Sequence, residues 1–161
     1  LKISLIVPIY NEANHLEEFL NQLDKLELNA DKQLVFVDDS SRDKSWEILN
    51  NFSFKSEVIK QKQPENRGKG AALRRGFELA TGDLIGVQDA DFEYSLDDIP
   101  AIIEPLLKGK ADVVFGSRFK KNAPQVHRTF LYLVNRILTI LSNLFSGLYL
   151  TDMETCYKFF R

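Results

Sequence analysis

The chain has 161 residues, 44% of them hydrophobic, enough to close one globular core and too few for two. Its net charge of −2 supplies no global field for nucleic acid or an anionic membrane, so any such contact needs a local patch. The single cysteine, Cys156, excludes an internal disulfide and a cysteine metal cage, and suits a reducing compartment.

The stretch ISLIVPIY (3–10) is short and rich in branched apolar residues, which predicts a strand buried on both faces. Leu16, Phe19, Leu20 and Leu23 then recur at the spacing of an amphipathic helix. QLVFVDD (33–39) predicts a second strand, and Ser41 or Asp43 can cap a helix carrying Trp46, Leu49 and Phe52. EVIKQ (57–61) reads as a weaker third strand, PENRGKG (64–70) as a loop, and AALRRGFELA (71–80) as a helix stopped by Gly82. DLIGVQ (83–88) predicts a fourth strand. A helix over 95–107 with Ser95 as N-cap follows, then a fifth strand, ADVVFGS (111–117). Residues 128–150 are strongly apolar, but Asn135, Arg136, Ser142 and Asn143 interrupt the run and argue against a membrane span. That stretch reads either as a helix packed on the sheet or as one lying in a membrane interface, with Lys120, Lys121, His127 and Arg128 ahead of it. The chain opens directly in strand-like sequence and ends in the apolar run CYKFFR. This predicts a single domain over 1–161, cut from a longer protein.

Strands alternating with helices predict an α/β fold with a mostly parallel sheet and helices on both faces. Ligands of such sheets sit beyond the carboxyl ends of the strands. Four polar clusters fall there: Tyr10-Asn11-Glu12, Asp38-Asp39, Asp89-Asp91 and Ser117-Arg118. Asp89 and Asp91 are the most informative. Residues two apart in an extended chain point the same way, so both carboxylates can face one hard divalent cation such as Mg²⁺, whose shell substrate phosphates complete. The same tripeptide also serves ordinary turns and caps. Glu93 is a third candidate ligand. Asp38 and Asp39 can accept from a base N–H, or simply start the next helix. Arg67, Lys69 and Arg74 can balance a diphosphate, or form a solvated basic loop; the P-loop spacing is absent.

Taken in order and spacing, VPIYNE, VDDSSRDKS, NRGKGAALRRGFELATGD, QDADFEYS, VVFGSRF and TDMETCYKFFR resemble the family 2 glycosyltransferases of GT-A fold, a Rossmann-like architecture. The resemblance is to the branch of dolichyl-phosphate mannose synthases and polyprenyl-phosphate glucosyltransferases. It implies an inverting transfer of a hexose from a nucleoside-diphosphate sugar to a polyprenyl phosphate, at the cytoplasmic face of a membrane. By the same resemblance Pro8, Tyr10 and Glu12 line the base pocket, with Asp39 or Asp38 reading base or ribose. Asp89, Ala90 and Asp91 meet the donor diphosphate and its Mg²⁺ or Mn²⁺, while Arg118, Arg128 and Thr155 serve the acceptor phosphate. That branch usually carries Gln at the position of Glu93 and a small residue at that of Cys156. If the acceptor is instead a sugar hydroxyl, Asp152 is the candidate general base. Three rivals stand beside this reading. A phospho-acceptor signalling domain leaves the GKG segment without a role, and a sugar-nucleotide pyrophosphorylase needs a glycine-rich loop that VPIYNEAN lacks. The third is a nucleotide binder without catalysis.

Overall fold

The computed structural model describes residues 1–92, 94–119 and 129–161. Strands β1 (Lys2–Ile9), β2 (Asp31–Asp38), β3 (Glu57–Lys62), β4 (Leu84–Val87) and β5 (Val113–Phe115) alternate with helices α1 (Leu16–Lys25), α2 (Ser45–Asn51), α3 (Lys69–Leu79) and α4 (Ile99–Leu107). Helix α5 (Thr129–Ser146), strand β6 (Lys158–Phe160) and a 3-10 turn at Leu96–Asp98 ahead of α4 complete the described elements. The strands form one sheet in the order β3-β2-β1-β4-β6-β5. The pairs β1–β2, β2–β3 and β1–β4 are parallel. Strand β6 runs antiparallel between β4 and β5, in a stretch where the sequence signalled no strand.

Strand β1 is buried on both sides, as its composition requires. Ile3, Leu5, Val7 and Ile9 face a core shared with α1, α2 and α4, while Ile6, with Val35 and Val37 of β2, packs on Ala72 of α3. Leu16, Phe19, Leu20 and Leu23 form the buried stripe of α1. The open carbonyls at the end of α1 are met by Lys32, whose Nζ donates to Leu23, Asp24 and Leu26 at 2.7, 2.8 and 2.7 Å. Helix α3 approaches β1 so closely that a Cβ at Gly76 would fall 2.3 Å from a methyl of Ile6.

The site is placed by where β1 loses a neighbour. β1 pairs with β2 over its whole length, but with β4 only from Ile3 to Ile6. Gln88 N–H donates to the Ile6 carbonyl at 2.9 Å, and beyond it the two strands part. Backbone groups two residues apart point to the same side, so the N–H that Pro8 lacks would face this opening. A proline in a central strand therefore leaves no ladder bond broken. Chain order reverses at this opening, where crevices form in open α/β sheets.

Helix α5 has two unlike faces. Asn135 and Thr139 are buried, and Asn143 exchanges two hydrogen bonds with the backbone of Leu150 at 2.8 and 2.9 Å. The residues that interrupt the apolar run are thus largely its docking face. Leu144, Phe145, Leu148 and Tyr149, in and after the last turn, are 51–96% exposed. Among the described residues no helix is long and apolar enough to cross a membrane.

Candidate active site

Among the described residues, three that are not glycine adopt left-handed backbone angles: Asn11, Ser40 and Phe92 at φ 58°, 61° and 56°. They follow β1, β2 and β4, so the strain lies on the rim where the polar clusters converge. The loops after β1 and β2 are stitched together there. Asn11 N–H donates to Ser41 Oγ, Arg42 N–H to Asn11 Oδ1, Glu12 N–H to Ser45 Oγ and Ala13 N–H to Asp43 Oδ2, at 2.8–3.1 Å. Of the two cap candidates, Asp43 accepts from the Ser45 amide at 2.9 Å, whereas Ser41 serves Asn11. Tyr10 stands 40% exposed on the rim, open to stacking, and Pro8 is partly buried behind it.

Asp39 builds a loop. Its carboxylate accepts from Gln63 Nε2 at 2.8 Å, Arg67 N at 3.0 Å and Gly68 N at 2.7 Å, and its carbonyl from Asn66 Nδ2 at 3.2 Å. These bonds fix residues 63–68 and the approach to α3. The expectation that Asp39 reads a base directly meets a carboxylate already engaged. Asp38 is fully buried; one oxygen accepts from Ser41 N–H at 3.0 Å, and the other has no partner among the described residues. The Arg67 guanidinium pairs with Glu65 at the surface.

Asp89 leaves the end of β4 with its side chain 15% exposed. Its Oδ2 accepts from Lys69 Nζ at 2.6 Å and from the Cys156 thiol at 2.6 Å. Ala90 turns its side chain into the core. Asp91 and Asp89 lie near enough to Glu12 to act on it. Burial first, then the charges of Asp91, Asp43 and, more weakly, Asp89 raise the Glu12 pKa. Burial opposes the Lys69 charge, but the bond to Asp89 outweighs it and raises the lysine pKa. Burial and the neighbouring Asp89 carboxylate push the Cys156 thiol up to about 12, so it stays a neutral donor. Lys69, expected to face a diphosphate, thus lies on the first aspartate. No sequence signal pairs Lys69 or Cys156 with a residue 20 or 67 positions away.

The segment ahead of β6 brings the acceptor candidates together. Asp152, fully buried, accepts from Arg118 Nε at 2.8 Å, Arg118 Nη2 at 3.0 Å, Arg118 N at 3.1 Å and Asn135 Nδ2 at 3.2 Å. Burial works against its charge, but the Arg118 bonds prevail and hold its pKa below the usual carboxylate value. A carboxylate so held is a weak base, which counts against the general-base role expected of Asp152. Thr155 is buried against Gly116 and Tyr94. Tyr94, a residue the sequence reading passed over, accepts from Cys156 N–H at 3.1 Å and lies within electrostatic reach of Arg118. Glu93, Lys120, Lys121, His127 and Arg128 lie outside the described residues.

The donor set suits a hard divalent cation. The charges of Asp89 and Asp91, at the end of β4, are felt at Glu12 in the loop after β1. Among the described residues no three such groups stand close enough to cage an ion unaided. Two carboxylates with substrate phosphates and water completing the shell is the usual arrangement for Mg²⁺.

The chain is 36% identical over 121 residues to the dolichol-phosphate mannosyltransferase of Pyrococcus furiosus, covering 75% of this chain and 34% of that protein. It is 35% identical over 137 residues to an undecaprenyl-phosphate 4-deoxy-4-formamido-L-arabinose transferase of Pseudomonas aeruginosa, covering 83% and 40%. The chain therefore spans about two fifths or less of these relatives. Among solved structures it is similar to the mannosyltransferase PcManGT of Pyrobaculum calidifontis, in complex with GDP-Man and Mn²⁺. That match has a TM-score of 0.60 and 25% identity, and covers 69% of this chain and 34% of that one. The sheet and these neighbours show a GT-A fold. The model of the family described as glycosyl transferase family 2 matches residues 4–161, and the chain belongs to that family.

Proposed function

We propose that the chain carries the catalytic centre of an inverting, metal-dependent glycosyltransferase. It would move a hexose from UDP-glucose or GDP-mannose to a polyprenyl phosphate. The observation that carries this reading is the placement of Asp89 and Asp91 at the end of β4, on the crevice where β1 and β4 part, with Glu12 and Lys69 beside them. Tyr10 offers a stacking surface for the base at the rim. Asp89 and Asp91 would hold Mg²⁺ or Mn²⁺, which when bound stabilises the charge growing on the departing diphosphate. An oxygen of the acceptor phosphate forms its bond to the anomeric carbon as the bond to the nucleoside diphosphate breaks on the opposite face.

The state of Asp152 favours a phosphate acceptor over a sugar hydroxyl. A hydroxyl needs a base to take its proton, and the Asp152 carboxylate is saturated by Arg118 and Asn135. A phosphomonoester oxygen is already largely ionised at neutral pH, its second pKa being about 6. The Arg118 side chain is 28% exposed, and Asp152 orients it towards such an anion. The exposed face of α5 is suited to lie on the membrane that carries a lipid acceptor, at its cytoplasmic side.

Thermal shift with UDP-glucose and GDP-mannose, each with and without Mn²⁺, tests the donor half. The true donor raises the melting temperature and Mn²⁺ enlarges the rise, because a ligand that binds only the folded state stabilises it. Transfer of labelled sugar into a polyprenyl-phosphate fraction tests the acceptor half. No shift with either donor, with or without metal, refutes the proposal.

A further inference from the structure

The Lys69–Asp89 contact is an ion pair at the carboxylate that the proposed function assigns to the metal. Lys69 is the first residue of α3, and its side chain is 56% exposed. The backbone behind it is fixed, since Asp39 holds the amides of Arg67 and Gly68, and Gly68 sits at φ 85°. The side chain is not fixed. Its four-carbon stem extends from a pinned base to Asp89 Oδ2. An ammonium with more than half its side chain in water makes a weak, exchangeable bridge.

We propose that Lys69 is the resident counter-cation of Asp89, occupying the metal-facing carboxylate until a donor diphosphate draws it away, so that metal and donor bind as a coupled pair. This rests on the metal–diphosphate reading of the site. With no ligand, Lys69 offsets the charge that Asp89 and Asp91 gather beside Glu12. A diphosphate offers the ammonium a stronger partner within the sweep of its stem. When Lys69 turns to the diphosphate, Asp89 Oδ2 keeps the neutral Cys156 thiol as its partner and is open to a divalent ion. The lysine therefore makes metal binding without donor unfavourable, and it rewards simultaneous binding. Such coupling is reciprocal: whatever factor donor adds to metal affinity, metal adds to donor affinity.

The test is Mn²⁺ binding by the full chain, followed through the loss of the free-ion electron paramagnetic resonance signal. Wild type, Lys69→Met and Lys69→Arg are compared, each alone and with saturating UDP or GDP. Without nucleotide, Lys69→Met is expected to bind Mn²⁺ about three- to ten-fold more tightly than wild type, the scale of one partly exposed charge pair. Lys69→Arg, which keeps the charge, stays within two-fold of wild type, by about the same reasoning. The factor by which nucleotide tightens Mn²⁺ shrinks in Lys69→Met to match. Mn²⁺ affinity without nucleotide that is equal in wild type and Lys69→Met overturns the proposal while leaving the metal site intact. Absence of Mn²⁺ binding in all three proteins, with and without nucleotide, overturns both.

Discussion

Asp152→Asn removes one negative charge from a buried position. The Asp152 side chain is fully enclosed and its two oxygens accept four hydrogen bonds, three from Arg118 and one from Asn135. Breaking a buried ion pair by removing one partner costs about 3–5 kcal/mol. Arg118 keeps 28% of its side chain in water and can turn outward, so about 2 kcal/mol is the better expectation. For a chain of this size that lowers the melting temperature by about 4–8 °C. The pH dependence is specific. The pKa of Asp152 is depressed in the fold, so its contribution is fully present above the unfolded value of about 3.9 and fades as pH falls through the folded value. A protonated Asp152 resembles Asn. Melting curves of both proteins from pH 7 to pH 2.5 should therefore show a gap at neutral pH that closes below about pH 4. A gap of constant size over that range, or none at pH 7, refutes the argument that Arg118 holds this carboxylate ionised.

Three further outcomes follow from the packing. In Gly86→Ala the new Cβ would sit 2.2 and 2.4 Å from ring carbons of Phe159, forcing β6 off β4; urea denaturation should show a loss of about 1–3 kcal/mol. Lys32→Met leaves the three carbonyls at the end of α1 without their ammonium donor; the same assay should show about 1–3 kcal/mol lost, with amide exchange fastest in the last turn of α1. Phe145→Ser with Tyr149→Ser should leave the melting temperature unchanged, because both side chains are more than four fifths exposed. Flotation with anionic vesicles should fall for that variant if α5 contacts the membrane, and equal flotation would remove α5 from that role.

The sequence was most legible where burial dictates composition. Strands β1 and β2 and the stripe of α1 are continuous or periodic apolar runs, so they are readable without partners. Strand β6 was not legible, because KFF has neither length nor alternation and its neighbours lie some 75 and 45 positions earlier in the chain. Its pairing is set by the gap between β4 and β5, which is a property of the assembled sheet. The same limit applied within the site. The rim clusters were visible as residue types at strand ends. That Asp39 is used on its own loop, or that Asp152 is matched by Arg118, depends on contacts across 24 to 34 positions.

That antiparallel insertion is also what joins the two halves of the site. If β5 lay directly beside β4, the chain from Thr151 to Tyr157 would have no reason to cross the end of β4. Because β6 enters between them, Gly116 N–H meets the Tyr157 carbonyl at 2.8 Å, Cys156 lands on Asp89, and Asp152 meets Arg118. The carboxylate proposed for the donor side and the arginine proposed for the acceptor side are thereby fixed by one short stretch, with Tyr94 bonded to its backbone at Cys156. Transfer between two substrates needs their reacting atoms held in one geometry, and misplacement by about 1 Å can cost a hundredfold in rate. On the proposed function, the register of β6 against β4, pinned by Phe159 stacked over Gly86, is a catalytic constraint as much as a folding one.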